Sequence, residues 1–289
     1  MENISILYST NITVEGIFNL NLNIFNLFEY QFFQNALVGG IIVAVVCGLV
    51  GLFLILKKEA LIGEGLSHTA FGGIAVGLLL GINPLIAALG VSIIAVFAIS
   101  YMRRKKIAAS DSAIAIMIAL GFSTGLIIIS IAGGFNIELF NYLFGSILTI
   151  TFSDLLLVSI LSSGVLLFLG FFRRELLSMI FDEEDSQIMG IPTSRLTLIF
   201  DILTAITIVL SIKVIGTILV VALLVIPGLC ALKLNLSFKK TLLITALFSI
   251  ISTTTGIMIS AIFNIVTAGI IVLVLVAFFI MTLIYKKLE

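Results

Sequence analysis

The stretch Ala36-Leu-Val-Gly-Gly-Ile-Ile-Val-Ala-Val-Val-Cys-Gly-Leu-Val-Gly-Leu-Phe-Leu-Ile-Leu56 contains no charged side chain. A continuous apolar run of about 20 residues can cross a bilayer as an α-helix, whereas the strands of an outer-membrane barrel alternate apolar and polar side chains. Over all 289 residues, 61% are hydrophobic and only 10% are charged. Soluble domains carry roughly a quarter charged residues, so the sequence predicts an all-α, polytopic membrane protein.

Similar apolar runs recur along the chain and predict eight or nine transmembrane helices. The predicted spans are 33–56, 66–82, 84–102, 112–132, 154–172, 195–213, 214–232, 241–263 and 265–285. Together they form a predicted transmembrane domain over 31–289. Residues 1–30 are predicted to be an external segment, whose apolar residues interleaved with asparagine at 17–25 lie along the membrane surface. If that segment crossed the membrane, there would be ten spans.

The basic residues indicate how the helices are oriented, because lysine and arginine concentrate on the cytoplasmic side of inserted helices. With nine spans, fourteen of the 15 basic residues fall on one side, and only Lys213 falls on the other. This distribution predicts a cytoplasmic carboxyl terminus. No basic residue precedes Lys57, so the beginning of the chain lacks the positive region of a secretory signal.

The single histidine of the chain lies in Gly63-Glu-Gly-Leu-Ser-His68, where the second span begins. Glu64 and His68 are four residues apart, so a helix presents both on one face. An imidazole and a carboxylate together suit divalent transition metals such as zinc, iron and manganese. The alternative is structural: His68 would hydrogen-bond to neighbouring backbone, and Glu64 would cap the first turn of the helix.

Two further acids lie in or beside predicted spans, where charges are candidates for function. Asp111 opens the fourth span, either as a second residue of a transport pathway or as an acceptor for backbone N–H groups at the helix amino terminus. Asp201 lies about six residues, or ~9 Å of helix, inside the sixth span. We expect its carboxylate to snorkel to water at the cytoplasmic face.

The cytoplasmic loop at about 176–192 is predicted to bind a partner protein, although its four consecutive acids are also typical of an ordinary solvated loop. After these acids the sequence predicts a short amphipathic helix with exposed apolar side chains. Such a helix is typical of segments that dock into a groove of a partner protein. The predicted contact residues are Asp182, Glu183, Glu184, Asp185, Ser186, Ile188, Met189 and Gly190.

Five ordered stretches resemble signature segments of the metal ABC transporter type 3 family, the membrane-spanning permeases of bacterial zinc and manganese ABC importers. The resemblance extends over nearly the whole chain from about Phe33. The five stretches are Leu61-Ile-Gly-Glu-Gly-Leu-Ser-His68, Asp111-Ser-Ala-Ile-Ala-Ile, Leu143-Phe-Gly-Ser-Ile-Leu148, Phe181-Asp182 through Gly190-Ile191-Pro192, and Val214-Ile-Gly-Thr-Ile-Leu-Val-Val-Ala-Leu-Leu-Val-Ile-Pro227.

The resemblance implies a homodimer in the bacterial cytoplasmic membrane that imports zinc, manganese or iron and keeps no permanently bound cofactor. It also implies cytoplasmic ABC ATPase subunits and an extracellular or periplasmic metal-binding protein as partners, and no nucleic acid. By this resemblance, Glu64 and His68 coordinate the ion. Glu64 stands where the family usually has aspartate, which puts metal preference in doubt, and Ser186 stands where the family commonly has alanine.

Enzymatic activity is not expected of the chain itself. The sequence contains no Walker A motif, so ATP hydrolysis is assigned to the partners, and one histidine cannot supply the H-E-x-x-H motif of a metalloprotease. The remaining alternative is a secondary transporter driven by an ion gradient, in which Asp111 and Asp201 would be the coupling acids. Such carriers are commonly built from internal repeats, and none is convincing here.

Overall fold

The structure is a computed structural model that describes residues 28–134, 137–145, 151–263 and 265–288, so the prediction for 17–25 lies outside the described residues. Within these ranges the chain forms twelve α-helices and no strand, and the all-α prediction is confirmed. The helices are α1 (Gln31–Leu56), α2 (Leu61–Leu80), α3 (Pro84–Arg104), α4 (Ser110–Ile131), α5 (Ile137–Phe144), α6 (Phe152–Phe171), α7 (Arg173–Phe181), α8 (Glu183–Ile188), α9 (Thr193–Ile215), α10 (Thr217–Lys233), α11 (Phe238–Phe263) and α12 (Thr267–Leu288).

Nine of these helices coincide with the nine predicted spans, and most boundaries agree within a few residues. In the described ranges, seven helices are long and apolar enough to cross a membrane, and α10 adds a shorter apolar stretch, Leu219–Lys233. The exception among the nine is α2, where Glu64, His68 and several glycines interrupt the apolar sequence. The chain is therefore a multi-pass membrane protein.

Local sequence signals explain where several helices begin and end. The side chain of Asn83 accepts hydrogen bonds from the backbone N–H groups of Leu85 and Ile86, and Pro84 occupies the first helical position of α3. Thr151 and Asp154 form a capping box at the start of α6. Gly81 ends α2 with a left-handed backbone, φ 66°.

The α2 helix lies between α3 and α4, and α1 packs against α9, α10 and α11. These contacts are close because glycine allows backbones to approach one another. At Gly51 in α1, a Cβ atom would overlap the carbonyl group of Leu224 in α10. The α2 helix is thus held inside the bundle, with thirteen of its 20 residues buried.

Two ion-pair clusters mark the two ends of the bundle. Lys57 just after α1, Arg103 near the end of α3 and Asp201 in the first half of α9 meet at one end. At the opposite end, Lys213 of α9 pairs with Asp154 in the first turn of α6. The sidedness predicted from the basic residues places the first cluster toward the cytoplasm.

Candidate functional site

Glu64 and His68 occupy the first two turns of α2, one turn apart, as their spacing predicts. Both side chains are half-buried, whereas Gly65, Leu66 and Ser67 between them are buried. The pair therefore lies on the less tightly packed face of a helix whose other faces are enclosed by its neighbours.

The polar residues around the pair bond to the helix backbone. Ser67 Oγ donates to the carbonyl oxygen of Glu64 at 2.9 Å, and Thr69 Oγ1 donates to that of Leu66 at 2.9 Å. The His68 imidazole lies edge-on to the Phe122 ring of α4, with ring centroids 5.3 Å apart. Neither the Glu64 carboxylate nor the imidazole has a hydrogen bond or an ion pair among the described residues, and α2 has no side-chain cap.

The position of His68 is set by direct backbone contact between α2 and α4. A Cβ atom added at Gly121 would lie 2.6 Å from Thr69 Cα and 2.7 Å from the carbonyl oxygen of His68. Likewise, a Cβ atom at Gly72 would lie 2.6 Å from the Gly121 carbonyl oxygen. Gly121 and Gly125, four residues apart, form a small-residue pair on α4. That spacing is the sequence signal that could have identified this contact.

Asp111 is exposed in the first turn of α4. It lies three residues before Ile114, whose Cγ2 atom fills the space beside Gly65, 2.8 Å from where a Cβ atom would be. Asp111 therefore lies in the first turn of the helix that packs on α2, at about the same depth as the first turns of α2. Within the described residues, no group of three or more His, Cys, Asp and Glu side chains could hold a metal ion, so Asp111 does not complete a site with Glu64 and His68 in one chain.

The expectation that Asp201 snorkels to water is wrong, because the residue is fully buried. Arg103 donates through Nη2 to Asp201 Oδ2 and through Nη1 to Glu59 Oε1. Lys57 Nζ lies 2.6 Å from Glu59 Oε2 and 3.5 Å from Asp201 Oδ1. Two positive and two negative groups are therefore combined where α1, α3 and α9 meet.

Burial explains this network, since a charge removed from water is strongly destabilising unless it is paired. Lys57, Glu59 and Arg103 were missed as partners of Asp201 because all three lie at least 98 residues before it in the chain. The only sequence signal is that all of them fall near those ends of predicted spans that the basic residues assign to the cytoplasm. A carboxylate held between Arg103 and Lys57 is also poorly suited to take up and release a coupling ion.

The predicted partner-binding loop folds into α7 and α8. Asp182 caps α8 by accepting a hydrogen bond from the backbone N–H of Asp185 at 3.0 Å. Gly190 ends the segment with φ 85°, a left-handed conformation that favours glycine. Ile188 is 84% exposed and Met189 is 72% exposed, so two large apolar side chains project from the protein at this point.

Ser186 differs from the other residues predicted to contact a partner. It is fully buried, donates to the carbonyl oxygen of Asp182 at 2.7 Å, and its hydroxyl lies 2.8 Å from that of Ser178 in α7. The side chain therefore fastens α8 to α7 from the inside and is not available to a partner. The hydroxyl group explains why serine fits here, because it has a hydrogen-bond partner on the neighbouring helix.

The α7 and α8 helices are each connected to α9, the helix that carries Asp201. Gln187 Nε2 donates to Thr193 Oγ1 at 3.0 Å, and Thr197 Oγ1 donates to Met179 Sδ at 3.3 Å. A displacement of α7 and α8 would accordingly act first on the amino-terminal turns of α9.

Comparison with known proteins gives consistent results. Residues 29–286 match the model of the ABC 3 transport family. The chain is similar to the manganese transport system membrane protein MntC of Halalkalibacterium halodurans, with 32% identity over 83% of this chain and 82% of that protein. It is also similar to a probable iron transport system membrane protein of Haemophilus influenzae, with 32% identity over 90% and 96% of the two chains.

A solved structure, PsaBC from Streptococcus pneumoniae in complex with Fab, shares this fold with a TM-score of 0.80. The two chains are 30% identical, and the similarity covers 93% of this chain and 95% of that one. The family match spans almost all of the described helices, from α1 to α12. The chain belongs to the ABC 3 transport family and is a multi-pass transport permease.

Proposed function

We propose that this permease is the membrane subunit of an ATP-driven importer of divalent transition metal ions, and that Glu64 and His68 bind the ion in its pathway. One observation carries the proposal: an acid and the single histidine lie one turn apart on α2, half-buried and without a hydrogen bond or ion pair to the described side chains. Imidazole and carboxylate ligands together suit manganese, iron and zinc. The relatives named for manganese and iron transport favour the first two.

The ion site requires two copies of the chain. One copy supplies two ligands, and the described part of it offers no cluster of three. A twofold axis beside α2 would bring together two carboxylates and two imidazoles, a set of four that suits a tetrahedral ion or leaves positions for water. Because the ion must also leave, a site formed at the interface of two moving subunits is better suited than a rigid cage.

ATP supplies the motion through separate subunits. ATPases in the cytoplasm bind the surface formed by Ile188 and Met189, with the acids Asp182, Glu183, Glu184 and Asp185 beside it. Their closure displaces α7 and α8, and the Gln187–Thr193 hydrogen bond transmits the displacement to α9. Rigid-body movement of the helices then alternates access to the pathway. An external metal-binding protein delivers the ion to the opposite face.

Reconstitution tests the class of transporter. The permease is placed in liposomes with or without its ATPase subunits, and manganese, iron and zinc uptake is measured with ATP or with an imposed ion gradient. We expect uptake only when both the ATPase and ATP are present. Uptake by the permease alone, driven by a gradient, would identify a secondary transporter and refute the proposal.

A further inference from the structure

A groove of about 530 Å³ lies between α11, α12 and the connection from α10 to α11. Its mouth is formed by Leu234 and Leu236, in the connection between α10 and α11, and by Tyr285 near the end of α12. These residues lie at the end of the bundle that the basic residues assign to the cytoplasm. The volume falls in the range of about 300–1,000 Å³ that is usual for small-molecule sites.

The groove extends from this surface into the membrane-spanning part of the protein. Phe248 and Phe278, whose ring centroids lie 5.2 Å apart, line the groove at the end farther from this surface. Phe248 lies ten residues, or ~15 Å of helix, after the start of α11, and Phe278 lies seven residues, or ~10 Å, before Tyr285. The lining is almost entirely apolar, with Thr282 and the Tyr285 hydroxyl as the polar groups. An elongated apolar groove that opens at the membrane surface matches the shape of a lipid acyl chain.

Positive charge surrounds the mouth of the groove. Five exposed lysines lie within four residues of a lining residue: Lys233, Lys239, Lys240, Lys286 and Lys287. None of them forms an ion pair among the described residues. In the sequence, no acid occurs between Asp201 and Glu289. Within the described residues, the segments that form the mouth therefore carry no negative side chain that could neutralise these lysines.

We infer that this groove binds an anionic phospholipid of the cytoplasmic leaflet. One acyl chain lies between Phe248, Phe278 and the helices around them, and the phosphate group lies among the five lysines. Clusters of lysine immediately cytoplasmic of transmembrane helices attract anionic headgroups, and basic pockets between such helices select them. The combination of an apolar groove with an unneutralised basic mouth is complementary to both parts of this lipid.

The absence of tryptophan from the chain permits a site-specific test. Phe278→Trp places one fluorophore at the deep end of the groove, and Phe248→Trp is a second reporter if the first variant does not fold. The full-length protein is reconstituted in vesicles, and quenching by phospholipids with brominated acyl chains is measured. We expect brominated phosphatidylglycerol to bind at this reporter about tenfold more tightly than brominated phosphatidylcholine, the effect of a phosphate that contacts more than one lysine.

Leu243→Trp is the matched control. Leu243 is an exposed residue of α11, close to Lys239 and Lys240 but outside the groove. Its tryptophan should show little preference between the two lipids, and replacing the five lysines by glutamine should remove the preference at Phe278→Trp. Equal preference at both reporters would mean general attraction of anionic lipid and would overturn the inference. No quenching by either lipid at Phe278→Trp would mean that protein covers the groove, and would also overturn it.

Discussion

At the scale of single residues, Asp201 shows how strongly burial constrains a charge. Its carboxylate is enclosed by Arg103 and Lys57, and Glu59 balances the second positive charge. Lys57 also lies over the Phe200 ring, with Nζ 5.7 Å from the ring centroid. With all four groups charged the network is neutral, and each group is stabilised by its oppositely charged neighbours.

We therefore expect Asp201→Asn to lower the free energy of unfolding by about 3–5 kcal/mol, because it leaves a buried positive charge without a partner. The double variant Asp201→Asn with Arg103→Gln should recover part of this loss, since it restores a balance of one positive and one negative group. Thermal and denaturant unfolding in detergent micelles would measure both effects.

Asp154→Asn is the control for that experiment. Its pair with Lys213 lies at the opposite end of the bundle, and both side chains are about one-fifth exposed. Because this pair is more exposed to water than Asp201, and an asparagine can still accept the Thr151 hydrogen bond of the capping box, the substitution should lower the free energy of unfolding by only about 1 kcal/mol. Equal losses for the two variants would contradict the view that burial makes the Asp201 network important.

Which side chains share one helix face is predictable from sequence, but which side chains meet across different helices is not. Glu64 and His68 share a helix, so their spacing alone places them on one face. Asp201 is different, because its partners come from α1 and α3, and single-sequence patterns carry no information about which helix ends meet. The same reason explains why snorkelling was the natural expectation for an acid near a span end.

At the scale of helices, the contact between α2 and α4 positions the candidate site. Gly121→Ala should push the two helices apart, because the added Cβ atom would lie 2.6 Å from Thr69 Cα. We expect a loss of about 1–3 kcal/mol in the free energy of unfolding, together with reduced metal uptake since His68 moves with its backbone. Unfolding and uptake assays on the same preparation measure both.

Gly164→Ala is matched to this variant, because it also replaces a glycine inside a long helix. A Cβ atom at Gly164 would meet nothing within 4 Å. Stability and uptake should stay at the level of the unmodified protein. If Gly121→Ala behaved in the same way, the close contact between α2 and α4 would not be important for the site.

The α8 helix carries a separate prediction about the partner. Ile188→Asp replaces an exposed apolar side chain, so the fold should be unaffected, whereas co-purification with the ATPase should fall at least tenfold because a buried interface residue becomes charged. Ile107→Asp is the control, since Ile107 is an exposed residue of the loop between α3 and α4 at the same end of the bundle. Equal binding of the ATPase by both variants would exclude this surface.

Long helices were predictable because apolar runs of this length have few alternatives in a membrane. The sequence predicted one short amphipathic helix in the 176–192 loop, whereas the structure has two helices there, α7 and α8, and the four acids begin at the cap of α8. The eight-residue α5 was not predicted. Short amphipathic helices lack a distinctive apolar run and depend on packing for their stability. The inward orientation of Ser186 likewise depends on the hydroxyl of Ser178 on another helix.

At the scale of the whole molecule, the order of helices and the distribution of lysine and arginine agree on one arrangement. The basic ends of α1 and α3 meet at one end of the bundle, while Lys213, the exception in the sequence, lies at the other. Length and hydropathy are additive properties of the sequence, so they predict well which segments form membrane-spanning helices. How two copies pack as a dimer depends on the complementarity of their surfaces, and summed sequence properties carry no information about it.

The proposed homodimer has a direct consequence for metal binding. If each copy supplies Glu64 and His68, the purified permease should bind one manganese ion per two chains. Light scattering in detergent would give the mass of the assembly, and electron paramagnetic resonance would count the bound manganese. One ion per chain would contradict a shared site.

The most direct test of the central claim is metal uptake by liposomes that contain the complete transporter with His68→Ala or Glu64→Ala. Control measurements confirm that each variant still assembles with its ATPase and hydrolyses ATP. We predict that uptake of manganese, iron and zinc is lost in both variants, because two of the four ligands disappear from the dimer. Uptake of the transported metal at the unmodified rate by either variant would contradict the account.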